Sequence, residues 1–260
     1  MASAVQAKSL KSIRLSPGKR SANTVSRLGG RPNLPRDIPW PVRENGQPLS
    51  FIAQLDLSAL PQVRNLPLPK LGFLFFFYDV AEMPWGFDPK DKGCSQVIYV
   101  PSPLSEGGLR ASHRDLDEEA RFKGLALAAA VETTLPGINS GILRDFEATE
   151  KEFEAYMGLI DAAGPVHRVG GHADEIQGSL CLEAQLVSKG IYCGDGKGYA
   201  DGRKRGLDSG SADWLLLLQV GSEERAGMMW GDMGRIYFMI HKDDLRNRNF
   251  GNVWLILQCG

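Results

Sequence analysis

The chain has 260 residues, of which 43% are hydrophobic and 23% charged, a balance that excludes disordered and coiled-coil classes and allows a sizeable core. The longest apolar run, Leu71 to Tyr78, is far shorter than the roughly 20 residues that a membrane-spanning helix needs, and no signal-type apolar run opens the chain. The four cysteines are widely spaced and form no C-x-x-C pair. We therefore expect a cytoplasmic protein with reduced thiols and no membrane partner.

The net charge of −1 is unevenly distributed, because residues 1–36 carry eight Lys or Arg and no acid. We interpret residues 1–12 as a flexible basic arm and residues 13–260 as a single domain. The arm could contact an anion such as nucleic acid, act as a transit peptide, or lie against the acidic body, with 10–15 pairing as an edge strand that buries Ile13 and Leu15. Since the arm has no aromatic side chains to stack on bases, nucleic acid is the disfavoured partner.

The first half of the chain predicts a turn-rich strap followed by strands. Four prolines and two glycines between Ser26 and Pro41 exclude helix and central strand. Strand signals follow at Leu49 to Leu57, Leu71 to Val80 and Gln96 to Pro101. The second of these strands is almost continuously apolar, which predicts a strand covered on both faces.

The second half mixes both element types. Leu125 to Leu135 is ambiguous between strand and buried helix, and we favour a strand. Helical periodicity predicts helices at Asp145 to Ile160 and at about Leu180 to Lys189. Loops are expected near 104–123 and 193–213, the latter because it is rich in glycine. Further strands are predicted at Trp214 to Val220, Arg235 to His241 and Asn252 to Gln258, with a helical turn at Asp243 to Arg248.

Two parts of the chain are built alike. In each, an apolar strand with a glutamine near its end (Gln54, Gln219) precedes a turn and a glycine (Gly72, Gly234) that opens an aromatic-rich strand. A Trp-Gly pair lies near each copy, but on opposite sides of that strand. The pattern predicts an α+β fold of mostly antiparallel sheet with a few helices, in which two related β units could derive from an internal duplication.

Five ordered motifs carry a resemblance to a known family. The pattern G-G-x-P-x-L-P-x-x-x-x-W-P begins at Gly29, and four further motifs follow it in order: F-I-A-Q-L-D-L from Phe51, L-L-L-L-Q-V from Leu215, M-W-G-D-M-G-R-I-Y-F from Met229 and D-L-x-x-x-x-F from Asp244. Together they resemble the YwqG-like family of uncharacterised proteins. The resemblance implies an α+β fold and no established reaction.

The segment H-R-V-G-G-H-A-D-E-I-Q, which begins at His167, is the one candidate metal site. His167, His172 and Asp174 could supply divalent-metal ligands, but their spacing matches no known zinc signature. In YwqG-like proteins the corresponding stretch resembles G-x-x-D-x-x-Q, which implies a structural role for Asp174 and Gln177. We therefore predict no metal.

The turn W-G-D-M-G and the two strand glutamines are the other candidate ligand-binding features. Asp232 lies between glycines at the mouth of a strand, where backbone N–H groups could face a ligand or fix a tight turn, while Trp230 packs nearby. Gln54 and Gln219 either pair with turns or face a shared cleft, because a buried amide needs partners for its donors and its acceptor.

No spacing in the chain reaches the specificity of an active site, and no phosphate-binding loop or other cofactor motif is present. We therefore favour a non-catalytic module that binds a protein or small-molecule partner, without a cofactor. A hydrolase or metal-dependent enzyme built around His167 to Glu175 and Asp232 is the alternative. An immunity-type protein that binds a toxin through an acidic surface at Glu147 to Glu154 is another.

Overall fold

The computed structural model describes residues 6–18, 25–101, 108–143, 148–160, 167–204 and 206–260. Its described strands form one ten-stranded antiparallel sheet in the order β10-β9-β8-β7-β1-β6-β2-β3-β4-β5. Their bounds are β1 Leu10–Gly18, β2 Arg27–Leu28, β3 Ser50–Asp56, β4 Phe73–Tyr78, β5 Ser95–Val100, β6 Leu125–Thr134, β7 His167–Val169, β8 Trp214–Gly221, β9 Arg235–His241 and β10 Trp254–Gln258.

The helices among the described residues are short. They are α1 Glu150–Ile160, α2 Leu180–Ser188, α3 Gly196–Tyr199 and α4 Lys242–Arg246. Single 3-10 turns lie at Pro89–Asp91, Ile138–Ser140, Gly202–Lys204, Asp208–Asp213, Glu224–Ala226 and Phe250–Asn252. No described helix has the length and apolar character that crossing a bilayer requires.

The predicted α+β class is wrong. The protein is mostly β, because the described strands share a single sheet that is nearly closed, and the longest described helix has only 11 residues. The free edge of β10 meets the loop after β4, where the backbone N–H of Leu257 donates to the carbonyl of Trp85 over 2.9 Å. The indole Nε1 of Trp254 donates to the Gly86 carbonyl over 2.7 Å. These bonds cover an edge that would otherwise present unpaired backbone groups.

The strand order is symmetric about the central β6–β1 pair, with β2 to β5 on one side and β7 to β10 on the other. We call these strands the first half and the second half. Gln54 lies opposite Phe75 in the first half, and Gln219 lies opposite Tyr237 in the second. A register shift precedes each glutamine at the same distance along the strand. The two similar segments of the sequence thus pair in the same way within one sheet.

Alternate side chains of the strands form three apolar layers. The inner layer combines both halves, and Phe76 contacts Phe238 in it with ring centroids 5.1 Å apart. Outside the first half, the strap residues Leu34 and Trp40 cover β3 and β4. Outside the second half, α2 covers β8 to β10. All six residues of β4 are buried, as the lack of alternation predicted.

The N-terminal strand differs from its prediction. Ile13 and Leu15 are buried, but β1 is a central strand that pairs with β6 along nine residues and with β7 along three. The arm predicted for residues 1–12 therefore overlaps β1 at Leu10 to Ser12. Residues 1–5 lie outside the described part of the chain, as do Phe146 and Glu147 of the predicted helix and acidic surface.

Candidate functional site

Gln54 and Gln219 each bind a turn residue of their own half. The Gln54 Oε1 atom accepts the backbone N–H of Asn33 over 2.8 Å, and its Nε2 donates to the Asn33 Oδ1 over 3.1 Å. The Gln219 Oε1 accepts the backbone N–H of Asp174 over 2.9 Å, and its Nε2 donates to the Asp174 Oδ2 over 2.7 Å. Both buried amides thus find hydrogen-bond partners within the fold.

An arginine binds the same turn residue as each glutamine, and neither arginine was among the predicted site residues. Arg27 lies opposite Gln54 and donates to Asn33 Oδ1 over 3.0 Å. Arg168 lies opposite Gln219 and donates to the Asp174 Oδ1 over 2.7 Å. We call Arg27, Asn33 and Gln54 the first polar cluster, and Arg168, Asp174 and Gln219 the second polar cluster.

Both polar clusters share a short sequence pattern, which is R-L-G-G from Arg27 and R-V-G-G from Arg168. Gly29, Gly30, Gly170 and Gly171 all have positive φ between 55° and 74°, which L side chains disfavour. The glycine pair turns the chain back, so that the residue six positions after the arginine reaches it. The second polar cluster also carries more charge, because Arg168 Nε lies 3.1 Å from Glu132 Oε1.

The two histidines of the candidate metal segment contact different parts of the fold. The His172 Nε2 lies 2.7 Å from the Lys8 carbonyl, while Asp174 is bound to Arg168. His167 is 1% exposed, its Nε2 lies 3.6 Å from Glu223 Oε2, and neither ring nitrogen has a hydrogen-bond partner among the described residues. Burial lowers the pKa of His167 and favours the neutral ring. The described residues contain no group of three His, Cys, Asp or Glu that could hold a metal ion.

The remaining predicted ligand residues, Trp230, Asp232 and Gln177, differ in burial. Trp230 is fully buried and packs on Phe122 and Tyr78, with ring centroids 5.7 and 6.1 Å away. Asp232 is exposed, and its carboxylate accepts no hydrogen bond from the described part of the chain. Gln177 is exposed as well, and its backbone N–H donates to Gln258 Oε1 over 3.1 Å.

A groove with a volume of about 560 Å³ lies elsewhere, and the sequence analysis did not predict it. Its walls come from the β3–β4 loop, the end of β5 and the β9–β10 connection. The groove therefore forms where the two ends of the sheet approach each other. Its lining residues are Pro67, Leu68, Pro69, Lys70, Leu71, Tyr99, Pro101, Leu245, Arg246 and Arg248.

Close backbone packing holds the two walls in place. A Cβ atom at Gly72, whose φ is +99°, would collide with the carbonyl oxygen of Val100, so only glycine brings Leu71 next to Tyr99. The Tyr99 hydroxyl donates to the Leu71 carbonyl over 3.0 Å. Tyr99 also contacts the ring of Phe250 in the β9–β10 connection, with centroids 5.4 Å apart.

The groove is electropositive. Three exposed cations, Lys70, Arg246 and Arg248, contribute to its lining, and the lining residues include no acid. Arg246 forms a surface ion pair with Asp243 at 3.1 Å, whereas Lys70 and Arg248 form none within the described ranges. Arg248 has a φ of 57°, which is uncommon for a residue other than glycine or asparagine. Backbone strain of this kind concentrates at functional sites.

Comparison with known families matches residues 26–259 to a family described as domain of unknown function (DUF1963). The chain therefore belongs to this family. The match covers the groove and both polar clusters, while β1 precedes it. No curated protein matches the chain.

Proposed function

We propose that this member of the DUF1963 family is a non-catalytic binding module that holds an anionic partner in the basic groove. The observation that carries the proposal is a groove of about 560 Å³ with three cationic side chains and no acidic lining residue within the described ranges. Grooves of roughly 300–1,000 Å³ with apolar walls and a few polar groups are the usual form of binding sites.

The lining also indicates which contacts a partner would make. The guanidinium groups of Arg246 and Arg248 can each bind a carboxylate in a bidentate manner, while the ammonium of Lys70 acts as a point charge. Leu71 is 67% exposed and Tyr99 is half-buried, so an apolar part of the partner would gain contact area beside the charges. An acidic peptide with an apolar side chain combines both features.

The enzyme alternative receives less support. His167 faces the inner layer of the sheet next to Glu223, whereas Asp232 is exposed in the turn before β9. General acid–base catalysis needs its groups within reach of one substrate, and a buried ring such as His167 does not meet a substrate that an exposed carboxylate such as Asp232 would contact.

Two finer assignments belong to the same proposal. The five ordered motifs between Gly29 and Phe250 support placing the chain among YwqG-like proteins within the family. Cys94, Cys181, Cys193 and Cys259 are all free thiols, which supports a reducing, cytoplasmic location.

The test measures the fluorescence anisotropy of a fluorescein-labelled hexaglutamate peptide with the wild-type protein at low ionic strength. The groove variant Lys70→Glu/Arg248→Glu should bind it at least about tenfold more weakly, because each reversed charge changes the interaction by about 1 kcal/mol. The matched control Arg36→Glu/Lys123→Glu alters two exposed cations outside the groove and changes the net charge equally.

Melting temperatures of all three proteins verify that they are folded. Equal losses in the groove variant and the control would show that the peptide responds only to net charge, and the proposal would then fail. The same conclusion follows if the wild-type protein does not bind the peptide.

A further inference from the structure

Helix α1 exposes apolar side chains that a helix in a monomeric protein would normally bury. Only Tyr156 of its 11 residues is buried, and its hydroxyl donates to the carbonyl of Pro136. Phe153 is 46% exposed and Leu159 is 68% exposed. An aromatic side chain on a helix is normally packed against the core, but the structure leaves Phe153 open to solvent.

Acidic residues lie next to the exposed apolar side chains. Residues three and four positions apart are neighbours on a helix, so Phe153 lies beside Met157, and Glu150 lies beside Glu154. These two pairs are adjacent around the helix axis, since Met157 is three positions after Glu154. Neither Glu150 nor Glu154 forms an ion pair with another described residue. We call Glu150, Phe153, Glu154 and Met157 the acidic stripe.

The acidic stripe and the basic groove are complementary in charge and in apolar character. The groove offers Lys70 and Arg248 without ion-pair partners among the described residues, together with the exposed Leu71. Docking an amphipathic helix into a groove is a common mode of protein recognition. We infer that the groove takes the acidic stripe of α1 from a second copy of this chain.

The inference rests on the proposed function of the groove and names its partner. Because stripe and groove are different surfaces, the contact is heterologous, and every copy has one donor and one acceptor surface. Such contacts generate closed rings or open chains. A helix of 11 residues is about 16 Å long, so the contact is small and the association should be weak, dependent on concentration and weakened by salt.

Sedimentation velocity over a range of protein concentrations tests the inference with two charge-reversed variants. The groove variant Lys70→Glu/Arg248→Glu keeps its stripe, and the stripe variant Glu150→Lys/Glu154→Lys keeps its groove. The weight-average sedimentation coefficient of the wild-type protein should rise with concentration, while each variant alone should stay monomeric. An equimolar mixture of the two variants should associate again, because each provides the surface that the other lacks.

The control Arg36→Glu/Lys123→Glu should associate like the wild-type protein. The variant Phe153→Ser tests the apolar contact without changing charge, and it should weaken association while leaving the melting temperature unchanged, since Phe153 is half exposed. A monomeric wild-type protein at all concentrations, or a mixture of variants that remains monomeric, would overturn the inference.

A peptide experiment separates failure of this inference from failure of the proposed function. A capped peptide of residues 148–160 should displace labelled hexaglutamate from the wild-type groove, and the same peptide with Glu150→Lys/Glu154→Lys should not. If hexaglutamate binds the groove but the helix peptide does not displace it, the groove is a binding site for another partner and the second-copy inference is wrong. If hexaglutamate does not bind, the proposed function fails as well.

Discussion

The segments around β2 and β7 follow the same backbone path with different side chains. Both place an arginine opposite a strand glutamine, and both turn through a pair of glycines. At three equivalent positions the first half has an uncharged side chain and the second half an ionisable one: Ser26 corresponds to His167, Asn33 to Asp174 and Leu34 to Glu175. The geometry therefore depends on the arginine, the glutamine and the glycines, while the charge at the turn is free to vary. We expect the pH dependence of stability to originate mainly in the second half.

Removing the two arginines should give the largest difference between the halves. Arg168→Met leaves Asp174 without its cation and Glu132 with the more distant Arg14, 3.8 Å away, in a partly buried site, and we expect a loss of about 3 kcal/mol of unfolding free energy. Arg27→Met removes hydrogen bonds to the neutral Asn33 side chain and to backbone carbonyls, and the loss should be about 1 kcal/mol.

Urea denaturation monitored by circular dichroism measures both losses at pH 7, and the m-values report whether the unfolded states are comparable. Equal losses for Arg168→Met and Arg27→Met would contradict the distinction between a charged cluster and a neutral one.

The buried carboxyl of Glu175 should give the next largest effect. Burial raises its pKa to about 7, above the unfolded value of 4.5, so the unfolded chain releases this proton first as the pH rises. Glu175 therefore lowers stability progressively between pH 4.5 and 7. Glu175→Gln should stabilise the protein by about 1–2 kcal/mol at pH 8 and have little effect at pH 4, as measured by chemical denaturation at both values. A gain that is the same at both pH values would rule out ionisation as the cause.

His167 should lower stability as the pH falls, whereas Glu175 lowers it as the pH rises, and the effect of His167 should be smaller. Its pKa is lowered by burial, so the unfolded chain takes up a proton more readily, and stability falls as the pH drops below the unfolded value of 6.5. Glu223 faces the ring and is paired with Arg225, which holds the pKa of that carboxyl at about 2. We expect His167→Gln to flatten the decline between pH 6.5 and 5.

The matched control is Ser26→Ala, at the equivalent position of the first half. It should leave the shape of the pH profile unchanged. A profile of His167→Gln that still declines like the wild type over this range would assign the decline to another group.

The smallest expected effect comes from placing in the first half, at Asn33, the carboxylate that the second half carries at Asp174. Within the Asn33 side chain, Oδ1 accepts hydrogen bonds from Gln54 and Arg27, while Nδ2 donates to no described residue. Asn33→Asp keeps both acceptor contacts and adds a charge next to Arg27, so stability should change by a few tenths of a kcal/mol or rise slightly. Thermal denaturation at pH 7 measures the change, and a loss above about 1 kcal/mol would show that the two clusters are not interchangeable.

The sequence predicted the long strands but not how they assemble. The apolar runs at β3, β4, β8, β9 and β10 were sufficient to locate these strands. The short strands β2 and β7 have two and three residues and no periodicity to detect, although they connect each half to the centre. For β1, alternation of side chains correctly indicated one buried face. Alternation carries no information on whether the backbone edges are paired, which explains why a central strand resembled an edge strand.

The groove could not be predicted from the sequence, for a related reason. Its cations belong to two segments, Lys70 in the β3–β4 loop and Arg246 to Arg248, where the sequence predicted a helical turn. Only the near closure of the sheet brings these segments together. By contrast, the partners of Gln54 and Gln219 could have been found from the repeated R-x-G-G pattern, because the glutamines and the turns recur in the same order.

The position of β1 also bears on how the protein is made. β1 leaves the ribosome before the other described strands, yet its neighbours are β6 at Leu125–Thr134 and β7 at His167–Val169. β2 likewise lies between β3 and the late-emerging β6. During synthesis, Ile13 and Leu15 therefore stay without their strand partners until β6 and then β7 have been translated. Pairings of such long range fold slowly and leave a nascent chain open to aggregation, so we expect the yield of folded protein to depend on translation rate and on chaperones that shield the N-terminal segment.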